Sequence, residues 1–455
     1  MSDTLNYLDS AEGRSESYMR RRRCALYDAY FSGRPYENER EWRSLLGYSA
    51  EVSAPAIVVN YPRLVVERPA HFAFDRVAGV EAADPAAQEF VERAIAGLEI
   101  GGISSLDALL SEAAIEASIK GDALLVFDPS GLVSAGNAGE TPALPVSVIP
   151  AEDYTLECDP HDASKIAFIR IEYRISDGNG KETRHRRELH PDRILEFIGD
   201  APKGRRIWFG GNAAHLAGAA PDEPKEWRLV SAAKNPLGEI PAVVVRNRPR
   251  VGRAYGESDF ADLLTIFDDI NWKYSQRSRN ISRTMNAILK SVNGRILNDV
   301  ISENGVLSVI GEGAEVGYLI NDADMREIST HIAELRRALF EISGVTVLDA
   351  EKLSGYGALS GFALSVLYEP LIALAEKKRR TIGGAVERFL SKIVRAGWKL
   401  GLIETEPESF GVRIKYGAMF RESERELAEK QSRLLAAIDA GLLTKEQAGK
   451  AMETS

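Results

Sequence analysis

Apolar residues along this chain recur with two different periods, and the switches between them divide it into blocks. From Ile103 to Lys120 the positions Ile103, Leu106, Leu109, Leu110, Ala113, Ala114 and Ala117 step by three or four, which predicts a helix ended by Gly121. The run "ALLVFDPSG" follows as a strand. Between residues 143 and 248 the pattern becomes short runs rich in Val, Ile, Tyr and Phe, parted by turn signals such as "SDGNGK" and "NPLGEIP". Within this block "IAFIRIEYRI" alternates for most of its length, as a half-buried strand does, and "IWFGGNAAHLAGAAPDEP" reads as a loop. An antiparallel β lobe is the expectation.

The remainder reads as helical. "SYMRRRRCALYDAYFSG" closes at Gly33-Arg34-Pro35. After "GESDF", the residues Phe260, Leu263, Phe267, Ile270, Tyr274, Ile281, Met285 and Ile288 fall on one narrow stripe, with Lys273, Arg277, Arg279 and Arg283 between them. That spacing predicts a helix of about 30 residues, on the order of 45 Å long, of the kind that packs on neighbours in an assembly. Residues 288 to 325 are strand-like pieces with glycine turns, and Ile328, Ile332, Leu335, Leu339 and Ile342 then step at helical spacing. The prediction is a helical hairpin carrying a small β tip. A last long helix runs from Gly361 to near Gly401, with Phe362, Val366, Leu371, Leu374, Ile382, Val386, Phe389 and Ile393 inward. Pro370 should bend it near Val366 to Pro370, and Gly383-Gly384 is a second weak point.

Composition narrows the chemistry. The chain has 455 residues, 44% hydrophobic and 27% charged, enough for a large core, with a net charge of -10 that argues against nucleic acid gripped over the whole surface. Cys24 and Cys158 match no zinc or redox spacing, so a reducing compartment without disulfides is expected. No apolar run is long enough for a membrane span or placed as a signal peptide. His185 and His190 are spaced for neither a helix face nor one side of a strand, so no metal is expected. The arginines Arg20 to Arg23 read as a solvated helix face, with contact to nucleic acid or an acidic partner as the alternative.

The loop "LSGYGALSG" raises one enzymatic possibility, because Gly355, Gly357 and Gly361 could cradle a pyrophosphate. A dinucleotide fold would need a buried strand before the glycines and a second strand after an ordinary helix. The preceding "GVTVLDAEK" is short and polar by its end, and no second strand arrives. The sequence holds no Walker motif, no HExxH and no paired nucleophile and base. No catalytic residue and no cofactor are therefore assigned.

Three stretches carry a resemblance. They are "GDALLVFDPSG" with "VIPAEDYTLECDP", then "NPLGEIPAVVVRNRPRVGRAYGESDFADLLTIFDDINWKYSQRSRNI", and "LSGYGALSGFALSVLYEPLIALAEKKRRTIGGAVERFL". Together they resemble the portal proteins of tailed double-stranded DNA bacteriophages, the siphophage type, with G-E-I-P, G-x-S-D-F and D-x-x-N-x-x-x-S in the family's order. The resemblance implies an α+β portal-type subunit. Residues 1–257 would be a mixed α/β wing, 258–287 a stem helix, 288–325 a small β clip and 326–345 the returning stem helix. A tunnel loop would follow at 346–360, a long kinked tunnel helix at 361–401 and a short helical crown at 402–455.

It further implies a homo-oligomeric ring of about twelve copies at one capsid vertex of the virion, made in the host cytoplasm. Double-stranded DNA would pass through the channel during packaging, retention and ejection. The partners would be the terminase large subunit, the major capsid protein and a head-completion adaptor, with no membrane. Candidate channel residues are Lys352, Ser354, Gly355, Tyr356 and Gly357 on the loop and Pro370, Lys377, Lys378, Arg379 and Arg380 on the helix. Arg295, Asn298 and Asp299 are candidates for partner contact at the clip. Another structural component of a phage head is the alternative, with a nucleotide-cofactor enzyme behind it.

Overall fold

The computed structural model of the chain describes residues 16–99, 105–129, 132, 144–159, 161–176, 182–200, 226–285, 288–296, 309–319, 325–347, 361–419, 424–441 and 443–444. Helices α1 (Glu16–Phe31), α2 (Glu39–Leu46) and α3 (Tyr61–Phe74) come first, then β1 (Val77–Ala82), α4 (Pro85–Ala96), β2 (Leu98–Glu99) and α5 (Leu106–Lys120). A strand-rich region follows: β3 (Asp122–Phe127), β4 (Leu144–Pro150), β5 (Tyr154–Asp159), β6 (Asp162–Ser176), β7 (Glu182–Leu189), β8 (Arg193–Asp200), β9 (Arg228–Lys234) and β10 (Ala242–Arg246). Helix α6 (Leu264–Met285) leads to β11 (Ile288–Val292), β12 (Arg295–Ile296), β13 (Val309–Ile310), β14 (Glu315–Leu319) and α7 (Met325–Ser343). Helices α8 (Gly361–Lys378) and α9 (Gly384–Lys399), strand β15 (Val412–Tyr416) and α10 (Glu424–Asp439) complete a mixed α and β chain. Two compact units result, one of residues 51–59 and 264–339 and one of the rest.

In the larger unit the predicted β lobe is two sheets. Strands β5 to β9 form an antiparallel meander in sequence order, whereas β4 and β10 leave it to flank β3 in a second sheet ordered β10-β3-β4-β2. All six residues of β3 are buried. Ala123, Leu125 and Phe127 enter one core while Leu124 and Val126 enter another with Ile169, Ile171, Leu189 and Ile194 of the meander. A strand covered on both faces needs no polar alternation, which is why "ALLVF" has none. The first core joins Leu109, Leu110, Ala113 and Ala117 of α5 to Val386, Phe389, Leu390 and Ile393 of α9. Each of the larger of these side chains, from Val to Phe, contributes about 1.5–3 kcal/mol by burial.

The arginine run is neither a solvated face nor a free basic patch. Arg20 bonds the carbonyls of Ala151 and Tyr154 and the Asp122 carboxylate, with its guanidinium 3.9 Å from the centre of the Tyr255 ring. Arg21 reaches the carbonyl of Glu152 and the Glu172 carboxylate at 3.1 Å, and Arg22 makes a buried pair with Glu41. Burial disfavours the Arg20 charge most strongly, yet Asp122 with Tyr154, Cys24 and Tyr255 together outweigh it and hold the group above its ordinary range. Helix α1 is thus fastened by its cations to strands more than a hundred residues away. Cys24 between them is buried and free, and burial pushes its thiol up to about 12, which leaves it inert.

Beside this fastening, Lys120 at the end of α5 joins Glu116 at 2.8 Å and Glu152 at 2.6 Å, with Asp28 and Asp153 within electrostatic reach. Burial lifts Glu116 to about 7 against the pull of Lys120, and lifts Asp153 to about 6 with Glu152 adding repulsion. A carboxyl that keeps its proton more tightly when folded favours the fold at low pH, and that contribution is lost as pH rises from about 4.5 through about 7. Glu116→Gln is expected to flatten the change of Tm between pH 5 and pH 8 and to raise Tm at pH 8 by about 2–4 °C. Melts of both proteins at the two pH values check this; a variant melting lower than wild type at pH 8 refutes it.

The smaller unit is built on α6. The resemblance implies a stem helix from Ser258, but 258–263 turn instead, with Ala261 N–H on Ser258 O and Leu263 N–H on Phe260 O, and α6 begins at Leu264. An extended segment, residues 51–59, lies along α6: Ser275 Oγ accepts the N–H groups of Ala56 (3.0 Å) and Ile57 (2.9 Å), and Asn271 Oδ1 accepts that of Val59 (2.9 Å). Trp272 Nε1 donates to Ser53 O. These bonds account for the Asn and Ser of D-x-x-N-x-x-x-S, which replace strand partners for a lone stretch of backbone. The tip beyond α6 contains two short ladders, β11 with β14 and β12 with β13.

Candidate functional site

The site is the foot of the long helix, where α8 is joined to the body of the larger unit. The helix proceeds through Pro370, then a π-turn at Arg379–Gly383 inserts one surplus residue before α9, marked by the Gly384 N–H bond to Arg379 O. Gly383 makes this turn possible at its position: a Cβ there would run into the hydroxyl of Tyr416. The second weak point read from Gly383-Gly384 therefore coincides with a real change of helical phase.

Lys378 immediately precedes the turn, and its placement corrects the expectation of a channel cation. Its side chain is 2% exposed. Nζ donates to Ser118 Oγ at 2.6 Å, Asp259 Oδ2 at 2.7 Å and Asn247 Oδ1 at 3.2 Å, which satisfies all three ammonium hydrogens. Asn247 is oriented in turn by Nδ2 bonds to Glu257 O and Asp259 Oδ1, both 2.8 Å. Ser258 Oγ reaches Ile119 O at 2.5 Å and Ser118 O at 3.3 Å. Residues of α5, the segment after β10, and α8 thus converge on one buried charge pair. The G-x-S-D-F motif is the wall of this socket: Gly256 passes between two backbones, Ser258 and Asp259 bond, and Phe260 is buried.

The other cations of the run divide by helical phase. Arg379 is half-buried, donates to Ala73 O and Gly417 O, and stacks 4.5 Å from the Tyr416 ring centre. Lys377 and Arg380 are exposed. Arg295 lies in β12, paired with Ile310. Lys352, Ser354, Gly355, Tyr356, Gly357, Asn298 and Asp299 lie outside the described residues. His190 stacks on Phe168 with centroids 4.5 Å apart and His185 on Tyr173 at 5.4 Å, and among the described residues no cluster of His, Cys, Asp or Glu could hold a metal ion. No helix among them is long and apolar enough to cross a membrane.

Lys378 was missed as a structural residue although a signal existed. It is three residues after Ala375 and four before Ile382, on the same face as Leu371, and all of these are buried. A lysine on the inner stripe of a helix needs an acid to meet it, and Asp259 was already marked by its motif.

The charged side chains at this foot brace a long helix against the body of the larger unit. The chain belongs to the family described as phage portal protein, SPP1 Gp6-like, whose profile matches residues 33–432. That family is structural, and the role of this chain is that of a portal, the head-to-tail connector. Several of the solved structures similar to it come from gene transfer agent particles. One is the virion of a native gene transfer agent particle, at 13% identity over 89% of this chain and 96% of that one, TM-score 0.34. Another is the neck of the empty particle computed with C6 symmetry, at 14% identity over 86% and 88%, TM-score 0.38. A third is the neck of the native particle computed with C12 symmetry, at 12% identity over 89% and 96%, TM-score 0.34. No curated protein matches the sequence.

Proposed function

We propose that the chain works as a closed ring of about twelve copies that holds one capsid vertex open to double-stranded DNA. The observation that carries this reading is the match of a portal family to 400 consecutive positions, residues 33–432. In this reading the larger unit is the wing and α6 and α7 are the stem. The β11–β14 tip is the clip that meets the terminase large subunit and later a head-completion adaptor, with Arg295, Asn298 and Asp299 as contacts. The wing edge would face the major capsid protein, and α10 would belong to the crown. Exposed Val366 and Leu367 on α8 support a helix that leads toward neighbours rather than into its own core.

DNA must slide, so tight binding would obstruct the task. An overall charge of -10 repels phosphate, and scattered cations such as Lys352, Lys377 and Arg380 supply weak, salt-sensitive contacts. Gly355 and Gly357 let the tunnel loop adopt backbone conformations that follow the duplex. Electron micrographs of the purified protein test the ring: top views with a central hole are expected, and compact monomers overturn it. Valine at both Gly355 and Gly357 is expected to leave rings intact while lowering packaged DNA by about tenfold or more. Genomes of normal length and yield in that variant would remove the loop from the mechanism.

A further inference from the structure

Two patches of opposite charge lie at opposite ends of the ribbon formed by β1 and β15. The ribbon pairs Val77 with Tyr416 at one end and Ala82 with Val412 at the other, a span of about 20 Å at roughly 3.3 Å per residue. Beyond the first end is a groove of about 1010 Å³ between α3, α8 and residues 418–419, lined by Phe72, Tyr368, Arg68, Arg76 and Arg379 among others. Of its four arginines, Arg63 pairs with Glu67 at 3.1 Å, while the remaining acid of the groove, Asp75, faces His71. The other three arginines are held by backbone carbonyls: Arg68 by Thr346, Arg76 by Ala418 and Met419, Arg379 by Ala73 and Gly417. Among the described residues none of the three is ion-paired to a carboxylate, so their charge stays available. The rings of Phe72 and Tyr368 stack at 6.3 Å and remain only half-buried.

Beyond the other end the chain turns through Glu404-Thr405-Glu406-Pro407-Glu408. Ile403 and Pro407 are buried and fix the turn, which leaves Glu404, Glu406 and Glu408 exposed. Its base is tied to the ribbon by the Glu408 N–H bond to Asp84 Oδ2 at 3.3 Å. No cation among the described residues pairs with these three carboxylates.

A ring of identical copies joined head to tail needs two different, complementary faces on each copy. A ribbon that holds three guanidiniums without carboxylate partners at one end and three carboxylates without cation partners at the other, among the described residues, meets that need, because its own ends are held apart. We propose that the arginine groove of one copy receives the Glu404–Glu408 turn of the next. This rests on the ring reading above. The charges set the order of approach and the register, and closure covers the two aromatic rings.

Charge reversal tests it on the full-length protein. Arg76→Glu and Glu406→Arg are each expected to raise the concentration at which rings dissociate by about tenfold at low salt. The two reversals in one chain should restore rings to within about threefold of wild type, since each reversed groove then meets a reversed turn. Mass photometry across a dilution series reads the effect, and thermal melts of Glu406→Arg, which alters an exposed side chain, confirm that the fold is kept. Rings indifferent to both reversals, or a double variant as weak as the sum of the singles, overturn this contact alone. A wild-type protein that is monomeric at every concentration overturns the ring and the contact together.

Discussion

Alanine at Gly256 is expected to cost about 4 kcal/mol or more, enough to deplete folded protein at 37 °C. A Cβ built on Gly256 falls inside the contact distance of two carbonyl oxygens, those of Gly121 and Asn247, and lies 3.0 Å from Asn247 N. These are main-chain atoms and cannot rotate away. They are also fixed to one another, through Asn247 N–H on Gly121 O at 2.8 Å and Glu257 N–H on Asn247 O at 2.9 Å. Relief would require breaking that crossing, and the Lys378 socket is built on it. Gly384→Ala is the matched control, since the only atom near its Cβ is the end of Arg388 at 3.9 Å and its backbone is helical. That change should be neutral or stabilising by up to about 1 kcal/mol. Urea unfolding of the two variants separates the cases, and a Gly256→Ala protein within 1 kcal/mol of wild type would show that the crossing has slack.

The second large effect is at the charge pair. Lys378→Met leaves Asp259 without its cation, and Asp259→Asn leaves Lys378 without its acid, in a site with side chains 2% and 12% exposed. Each change is expected to cost about 3–5 kcal/mol, because an uncompensated buried charge remains. The double variant should recover much of the loss and lie within about 2 kcal/mol of wild type, since an apolar and a neutral residue then share the space. A double-mutant cycle by chemical denaturation measures the coupling. Strictly additive losses would mean that Ser118 and Asn247, rather than Asp259, hold the ammonium.

Much of the architecture was readable from periodicity. The stripe from Leu106 to Ala117 became α5, the Ile328-to-Ile342 stripe became α7, and "IAFIRIEYRI" lies within β6. These elements are written in local spacing, with solvent on one side and core on the other. The departures share a cause, which is that the deciding partner is far along the chain. Arg20 meets Asp122 at a separation of 102 residues and Lys378 meets Ser118 at 260. A run of four cations or a run of "KKRR" has the same composition whether it faces water or a buried carboxylate. The strand at residues 144–150 similarly alternates as the meander does, and only its ladder to β3 (Leu124 opposite Ile149) removes it to another sheet. The segment 51–59 carries no periodicity at all, because side chains of α6 rather than a strand satisfy its backbone.

One surplus residue in the helix between Lys378 and Gly384 has a geometric consequence. An α-helix advances by about 1.5 Å and turns by about 100° for each residue, so an extra residue can be handed from one turn to the next like a wrinkle along a rug. Each hop would screw everything ahead of it by that fixed increment while exchanging few hydrogen bonds. The wrinkle cannot wander toward the chain end without loosening α9 from Phe127 and its neighbours, where Phe389 is fully enclosed. Toward Pro370 it meets a residue that donates no amide bond. In that direction it would also turn Lys378 out of its buried pair with Asp259, so the wrinkle is pinned from both sides.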